Sequence, residues 1–100
     1  MSAVKHIALI KFKPETTSEQ IDQIFNDLLD LSETVPDVLD YVAGANNSPE
    51  SLNQGFTHGF VMTFKDAAAR DAYLPHPEHE RFKAAALPFV ESVIVLDFEV

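Results

Sequence analysis

Seven consecutive residues, Tyr73-Leu74-Pro75-His76-Pro77-Glu78-His79, hold two of the chain's four histidines and one of its two tyrosines. Imidazole is the side chain whose unperturbed pKa lies nearest neutrality, so small changes in surroundings decide whether it carries a proton. The other two histidines, His6 and His58, each sit inside a strand-like run that should be buried. Imidazole is infrequent in cores. Two histidines beside a tyrosine and two on buried strands are the parts of a proton-transfer site.

Other chemistries fit less well. His76 and His79 have the i,i+3 spacing of half a metal site. A third ligand is missing, since Glu78 and Glu80 project elsewhere on a helix and the flanking Pro75 and Pro77 make His76 part of a rigid turn. No metal is expected. With three glycines in the chain, a phosphate-cradling loop can hardly be built, and neither a P-loop nor a serine-nucleophile pattern occurs.

Composition narrows the partners. The formal charge of −9 argues against nucleic acid, because no basic patch exists to displace counterions from phosphates. It disfavours anionic membranes as well. Cysteine is absent, which excludes a disulfide framework, thiolate chemistry and a cysteine zinc site. No apolar run approaches ~18 residues, and the opening Met-Ser-Ala-Val-Lys-His lacks the layout of a signal peptide. The expectation is a soluble, cytoplasmic protein of one domain spanning residues 1–100. An apolar content of 46%, with eight phenylalanines, exceeds what one small core needs. Such an excess most often enters a subunit interface, so the expected macromolecular partner is a second copy, a homodimer.

The elements that must position these residues follow from hydrophobic periodicity. Val4 to Phe12 alternates, with Val4, His6, Ala8, Ile10 and Phe12 on one face and Ile7 and Leu9 on the other. After Pro14, Thr17 or Ser18 caps a helix whose apolar residues Ile21, Ile24, Phe25, Leu28, Leu31 and Val35 have helical spacing. Its acidic residues read as a solvated face. Pro36 closes it. A strand over 38–45 follows, then a polar loop over 46–54 of the kind that overhangs sites. A third strand spans 56–65 and places His58, Phe60, Met62 and Phe64 on one face. Asp66 caps a short helix to about Leu74, Pro77 opens another ending near Val90, and 92–100 forms the last strand.

The order β-α-β-β-α-β is the ferredoxin-like α+β arrangement, a four-stranded antiparallel sheet with helices on one face. In it the first and third strands are central and the last flanks the first. His6 and His58 should then lie on neighbouring strands, with Asp97 on the strand beside His6; register decides whether Asp97 shares His6's face. The uncovered apolar face needs a cover, and a second subunit is the simplest.

Four stretches together carry a family resemblance: Val4-Lys5-His6-Ile7-Ala8-Leu9-Ile10-Lys11-Phe12-Lys13, Gly55-Phe56-Thr57-His58, the Tyr73–His79 segment, and Leu96-Asp97-Phe98. The chain resembles the stress-responsive dimeric α+β barrel (Dabb) family over essentially its whole length. The resemblance implies a ferredoxin-like protomer whose sheet faces that of a partner across a two-fold axis. One plant member, similar over the same stretches, folds a linear polyketide into an aromatic acid without a cofactor. Its catalytic tyrosine and histidine match Tyr73 and His79, its further pocket histidines match His6 and His58, and its C-terminal acid matches Asp97. Phe25 and Leu28 stand where that member has a more aromatic pocket lining.

On this resemblance His79 is the general base, abstracting a proton alpha to a carbonyl, and Tyr73 donates to the enolate oxygen. Asp97 orients the imidazole ring. The expected function is cofactor-free cyclase, lyase or isomerase chemistry on an oxo compound. Two alternatives stand beside it. One is a non-catalytic dimer that binds a small molecule or serves stress stability, with His79 a helix-start residue and Tyr73, His6 and His58 structural. The other is a monooxygenase of the wider dimeric α+β barrel group, acting with haem or on an activated substrate.

Overall fold

A computed structural model describes residues 2–100. Alternation makes β1 (Val4–Phe12) a central strand, pairing antiparallel with β3 (His58–Phe64) on one side and β4 (Val90–Glu99) on the other. With β2 (Val38–Ala45) outside β3, the sheet order is β2-β3-β1-β4. This is the ferredoxin-like arrangement that the element order implies.

Helix α1 (Ser18–Thr34) is capped by Thr17 rather than Ser18. Thr17 accepts from the Gln20 backbone N–H, while the Gln20 side chain accepts from the Thr17 N–H, a reciprocal box that satisfies two orphan donors. Helix α2 (Ala67–Tyr73) is capped by Asp66. Helix α3 (Pro77–Ala86) is capped by His76, whose Nδ1 accepts from the Glu78 N–H at 3.1 Å. That explains His76 between two prolines: Pro77 fills the first helical position, where its missing N–H costs nothing.

The structure shortens the last helix relative to the sequence expectation. It stops at Ala86, and a single 3₁₀ turn, Leu87–Phe89, leads directly into β4. Pro88 cannot donate to the carbonyl four residues back, so the α-helical ladder ends there. β4 therefore begins at Val90, which pairs with Phe12 beyond a bulge at Lys11/Phe12. The third strand starts late, at His58, because the Phe56 N–H turns back to the Asn53 carbonyl.

The helices cover one face. Val4, Ala8 and Ile10 from β1, Phe60, Met62 and Phe64 from β3, and Leu28, Leu31 and Val35 from the α1 side form the core, with Tyr73 of α2 sealed among them. Full burial of one such side chain contributes about 1.5–3 kcal/mol. The opposite face is bare. Pairings of Ile7 with Val61 and Leu96, and of Leu9 with Ile94, place these residues on one side. Leu9, Val42, Ile94, Leu96 and Phe98 are all exposed there. Among the described residues, no helix is long and apolar enough to cross a membrane.

Candidate active site

The register settles the position of Asp97. It lies directly opposite His6 in the β1–β4 ladder, on the helix-covered face. His6 Nδ1–H donates to Asp97 Oδ1 at 2.8 Å, and Arg70 Nη1 donates to Asp97 Oδ2, also at 2.8 Å. The acid thus sits between an imidazole from the central strand and a guanidinium from α2. With its Nδ1 proton committed to the carboxylate, a neutral His6 keeps Nε2 as a free acceptor.

Tyr73 ends α2 and is 1% exposed. Its ring packs on Phe64 at 5.0 Å and edge-on to His6 at 5.9 Å. From the start of α3, the His79 ring stacks on Tyr73 with centroids 4.2 Å apart and planes 29° apart. The two-proline turn makes this possible by bringing α3 back over the end of α2. His79 Nδ1–H donates to the Leu74 carbonyl at 2.9 Å, which leaves Nε2 with the lone pair.

The orientation of His79 corrects one expectation. Its ring is held by a backbone carbonyl, not by Asp97, whose imidazole partner is His6. The physical reason is register: the ladder puts the acid and His6 side by side, whereas His79 approaches from the helical layer above.

His6, Tyr73 and His79 line one cavity of about 220 Å³, walled otherwise by apolar residues such as Phe60, Phe82 and Val95. That is well above the ~30 Å³ share of one water and is room for a small organic molecule. Burial holds the His79 imidazole below its ordinary value. The nearby Lys83 charge and His6 act in the same direction, against the Leu74 hydrogen bond and Glu80. Burial pushes the Tyr73 phenol well above its ordinary value. Near neutral pH the pair therefore consists of an unprotonated imidazole with a free Nε2 and a firmly protonated phenol. An acceptor and a donor in one largely apolar pocket are what proton transfer next to a carbonyl requires.

His58 is not part of this cluster. It shares the face but pairs with Ile10, four residues along β1 from His6, or about 13 Å at the usual strand rise. Its ring stacks on Phe25 at 5.6 Å and meets Phe12 edge-on at 5.4 Å. The Thr57 hydroxyl lies 2.8 Å from its Nδ1. It faces a separate cavity of about 350 Å³ under the β2–β3 loop, bordered by Asn46, Leu52 and Phe56. Phe25 and Leu28 are likewise absent from the His6–Tyr73–His79 cavity. Leu28 is fully buried in the core, and α1 reaches the cavity through Ile24 instead. One residue along a helix turns the side chain by about 100°, and helical spacing alone does not say which apolar position meets the cavity.

Arg70, Lys83, Phe82 and Val95 were not anticipated. Arg70 carried a signal: it is the one cation in the helix that ends at Tyr73, placed one turn before it. Among the described residues, no group of three or more histidine or acidic side chains is arranged to hold a metal ion.

A four-stranded antiparallel sheet, helices on one face only, and a cavity between the sheet and the two-proline turn define a ferredoxin-like α+β protein with an open apolar sheet face. The model of the Stress responsive A/B Barrel Domain family (Dabb) matches residues 4–100, and the chain belongs to that family. It is 35% identical to a stress-response A/B barrel domain-containing protein of Arabidopsis thaliana, across 99% of this chain and 87% of that one. It is 29% identical to olivetolic acid cyclase of Cannabis sativa, across 96% and 95% of the two chains. Hydroxynitrile lyase from Passiflora edulis superposes with a TM-score of 0.91 at 28% identity, covering 98% of this chain and 93% of the lyase. A dimeric ferredoxin-like protein from Jannaschia superposes with a TM-score of 0.86 at 26% identity, covering 98% and 99%.

Proposed function

We propose that this chain is a homodimeric barrel protein whose protomer cavity performs cofactor-free acid–base chemistry on a small oxo compound, of the cyclase, lyase or isomerase type. The observation that carries the reading is the Tyr73–His79 stack at 4.2 Å within the cavity that His6 also lines. His79 Nε2 takes the proton alpha to the carbonyl, and the Tyr73 hydroxyl donates to the enolate oxygen as charge develops there. The apolar walls strengthen both interactions by excluding water. Two similar proteins, a cyclase and a lyase by name, lend the reaction class support without naming a substrate.

The test is substrate-independent. Small ketones and aldehydes that raise the melting temperature, as binding to the folded state must, are incubated with the protein in heavy water. Deuterium entry alpha to the carbonyl is followed by NMR. The protein should accelerate exchange, and His79→Ala should slow it by at least ~10²-fold. Exchange that survives both His79→Ala and Tyr73→Phe would falsify the reading.

A second reading is favoured by the Leu74 hydrogen bond, which holds His79 as an ordinary helix-start contact would. On that reading the domain binds its ligand without turning it over, and ligands raise the melting temperature with no exchange.

The homodimer rests on the bare face bearing Leu9, Val42, Ile94, Leu96 and Phe98. The dimeric state of the Jannaschia neighbour supports it. A specific interface of this kind buries more than about 1,000 Å² in total. Light scattering giving a stable monomer at low micromolar concentration would rule it out.

A further inference from the structure

The contacts behind His6 involve a residue whose role no motif assigns. Arg70 lies on α2, one turn before Tyr73. Its Nη1 donates to Asp97 Oδ2 at 2.8 Å, and its Nε donates to Asp71 Oδ1 at the same distance. The other Asp97 oxygen takes the His6 proton. Side-chain exposure falls along the chain of contacts, from 23% for Arg70 to 18% for Asp97 and 7% for His6. A largely buried carboxylate needs a compensating charge in a fixed place. A planar guanidinium supplies one with directed donors, which a lysine ammonium does not.

We propose that Arg70 is a positioning residue for the cavity. It fixes the Asp97 carboxylate so that His6 stays in the tautomer with Nδ1 protonated and Nε2 free for a ligand. Through the same contact it clamps the helix bearing Tyr73 to the β4 edge of the sheet. One side chain thereby ties the ring state of His6 to the placement of the phenol. The importance of Arg70 for turnover rests on the acid–base reading above; its hold on His6 does not.

The experiment uses the full chain labelled with ¹⁵N in histidine and arginine, read by long-range ¹H–¹⁵N correlation at neutral pH. Wild type should show one His6 tautomer, with Nδ1 protonated. Arg70→Met should move both ring nitrogens toward tautomer-averaged positions, and Arg70→Lys should restore the wild-type pattern in part. An Arg70→Met protein with the wild-type pattern overturns the proposal. Should Arg70→Met not fold, the wild-type guanidinium decides. Separate Nη resonances from hindered rotation support the clamp, and a single averaged signal overturns it. The two readings fail separately. Exchange that is insensitive to His79→Ala, with the His6 ring responding to Arg70, removes the chemistry and keeps the positioning role. The reverse result removes only the role of Arg70.

Discussion

The sheet carries two histidines on neighbouring central strands, on the same face, and they live in different worlds. At one end His6 is drawn into a charged relay with Asp97 and Arg70 and edges against Tyr73. At the other end His58 lies among Phe12 and Phe25, with a threonine hydroxyl at its Nδ1. The contrast teaches that strand parity places a side chain on a face, and that the layer above decides what the side chain can do. Over His6 that layer is the two-proline turn with Tyr73 and His79. Over His58 it is Phe25 of α1.

The largest expected effect tests that division. His79→Ala or Tyr73→Phe should lower α-proton exchange by ~10²-fold or more, whereas His58→Phe should leave it unchanged. Steady-state exchange rates for the three variants check this, and a large loss in His58→Phe would erase the distinction between the two ends. For Tyr73→Phe the loss should fall on kcat rather than KM, because a bond to a developing oxyanion strengthens mainly in the transition state.

Next comes the scaffold between the ends. Leu28 is fully buried, so Leu28→Ala should cost about 2–5 kcal/mol in chemical denaturation. A loss well under 1 kcal/mol would mean that the site faces an empty space instead of a packed core. On the bare face, Leu96→Asp should convert the proposed dimer to monomer in light scattering while leaving the protomer's circular dichroism unchanged.

A smaller effect concerns pH. Burial lowers the His79 pKa in the folded protein relative to the ordinary imidazole value of ~6.5. The unfolded chain therefore binds the proton more readily. The stability that neutral His79 contributes is complete above about pH 6.5 and is lost as pH falls through the lower folded value. Exchange activity should likewise persist below the ordinary imidazole pKa before failing. Burial lowers His58 as well, so the check is a difference: His79→Gln should flatten part of the acid-side fall in melting temperature and leave the His58 part. An unaltered acid limb would contradict the shift.

The smallest effect lies at Tyr41, beside neither histidine. Its hydroxyl is buried without a hydrogen-bond partner, and burial pushes its pKa up to about 12. Removing an unsatisfied hydroxyl relieves a desolvation cost, so Tyr41→Phe should be neutral or stabilising by up to about 1 kcal/mol in thermal unfolding.

Much of this was legible in the sequence because it depends on local rules. Alternation in Val4–Phe12, the proline stops and the Asp66 cap gave the element order, and the order gave the strand neighbours. Tyr73 and His79 stood out by residue type alone. What the sequence withheld was phase. Whether Asp97 faced His6 depended on a register set by pairing across 91 residues. Whether Phe25, Leu28 or Ile24 met the cavity depended on the rotation of α1 over the sheet. The assignment of Asp97 to His79 failed for the same reason, since both pairings suit the sequence and only the ladder chooses.

The contact between His6 and Asp97 joins residues 91 apart, and that span has a consequence for biosynthesis. A chain emerging from the ribosome exposes its first strand early, yet the partner of His6 arrives only with the last strand. Until then β1 lacks one of its two neighbours and the His6 ring lacks the acceptor for its Nδ1 proton. Pairings so distant in sequence form late and slowly. No fragment that lacks β4 contains the His6–Asp97 contact, so that contact forms only after β4 has been made. A polypeptide cut in the Leu87–Phe89 turn before β4 should accordingly regain the His6 ring state when the missing strand is added back as a peptide.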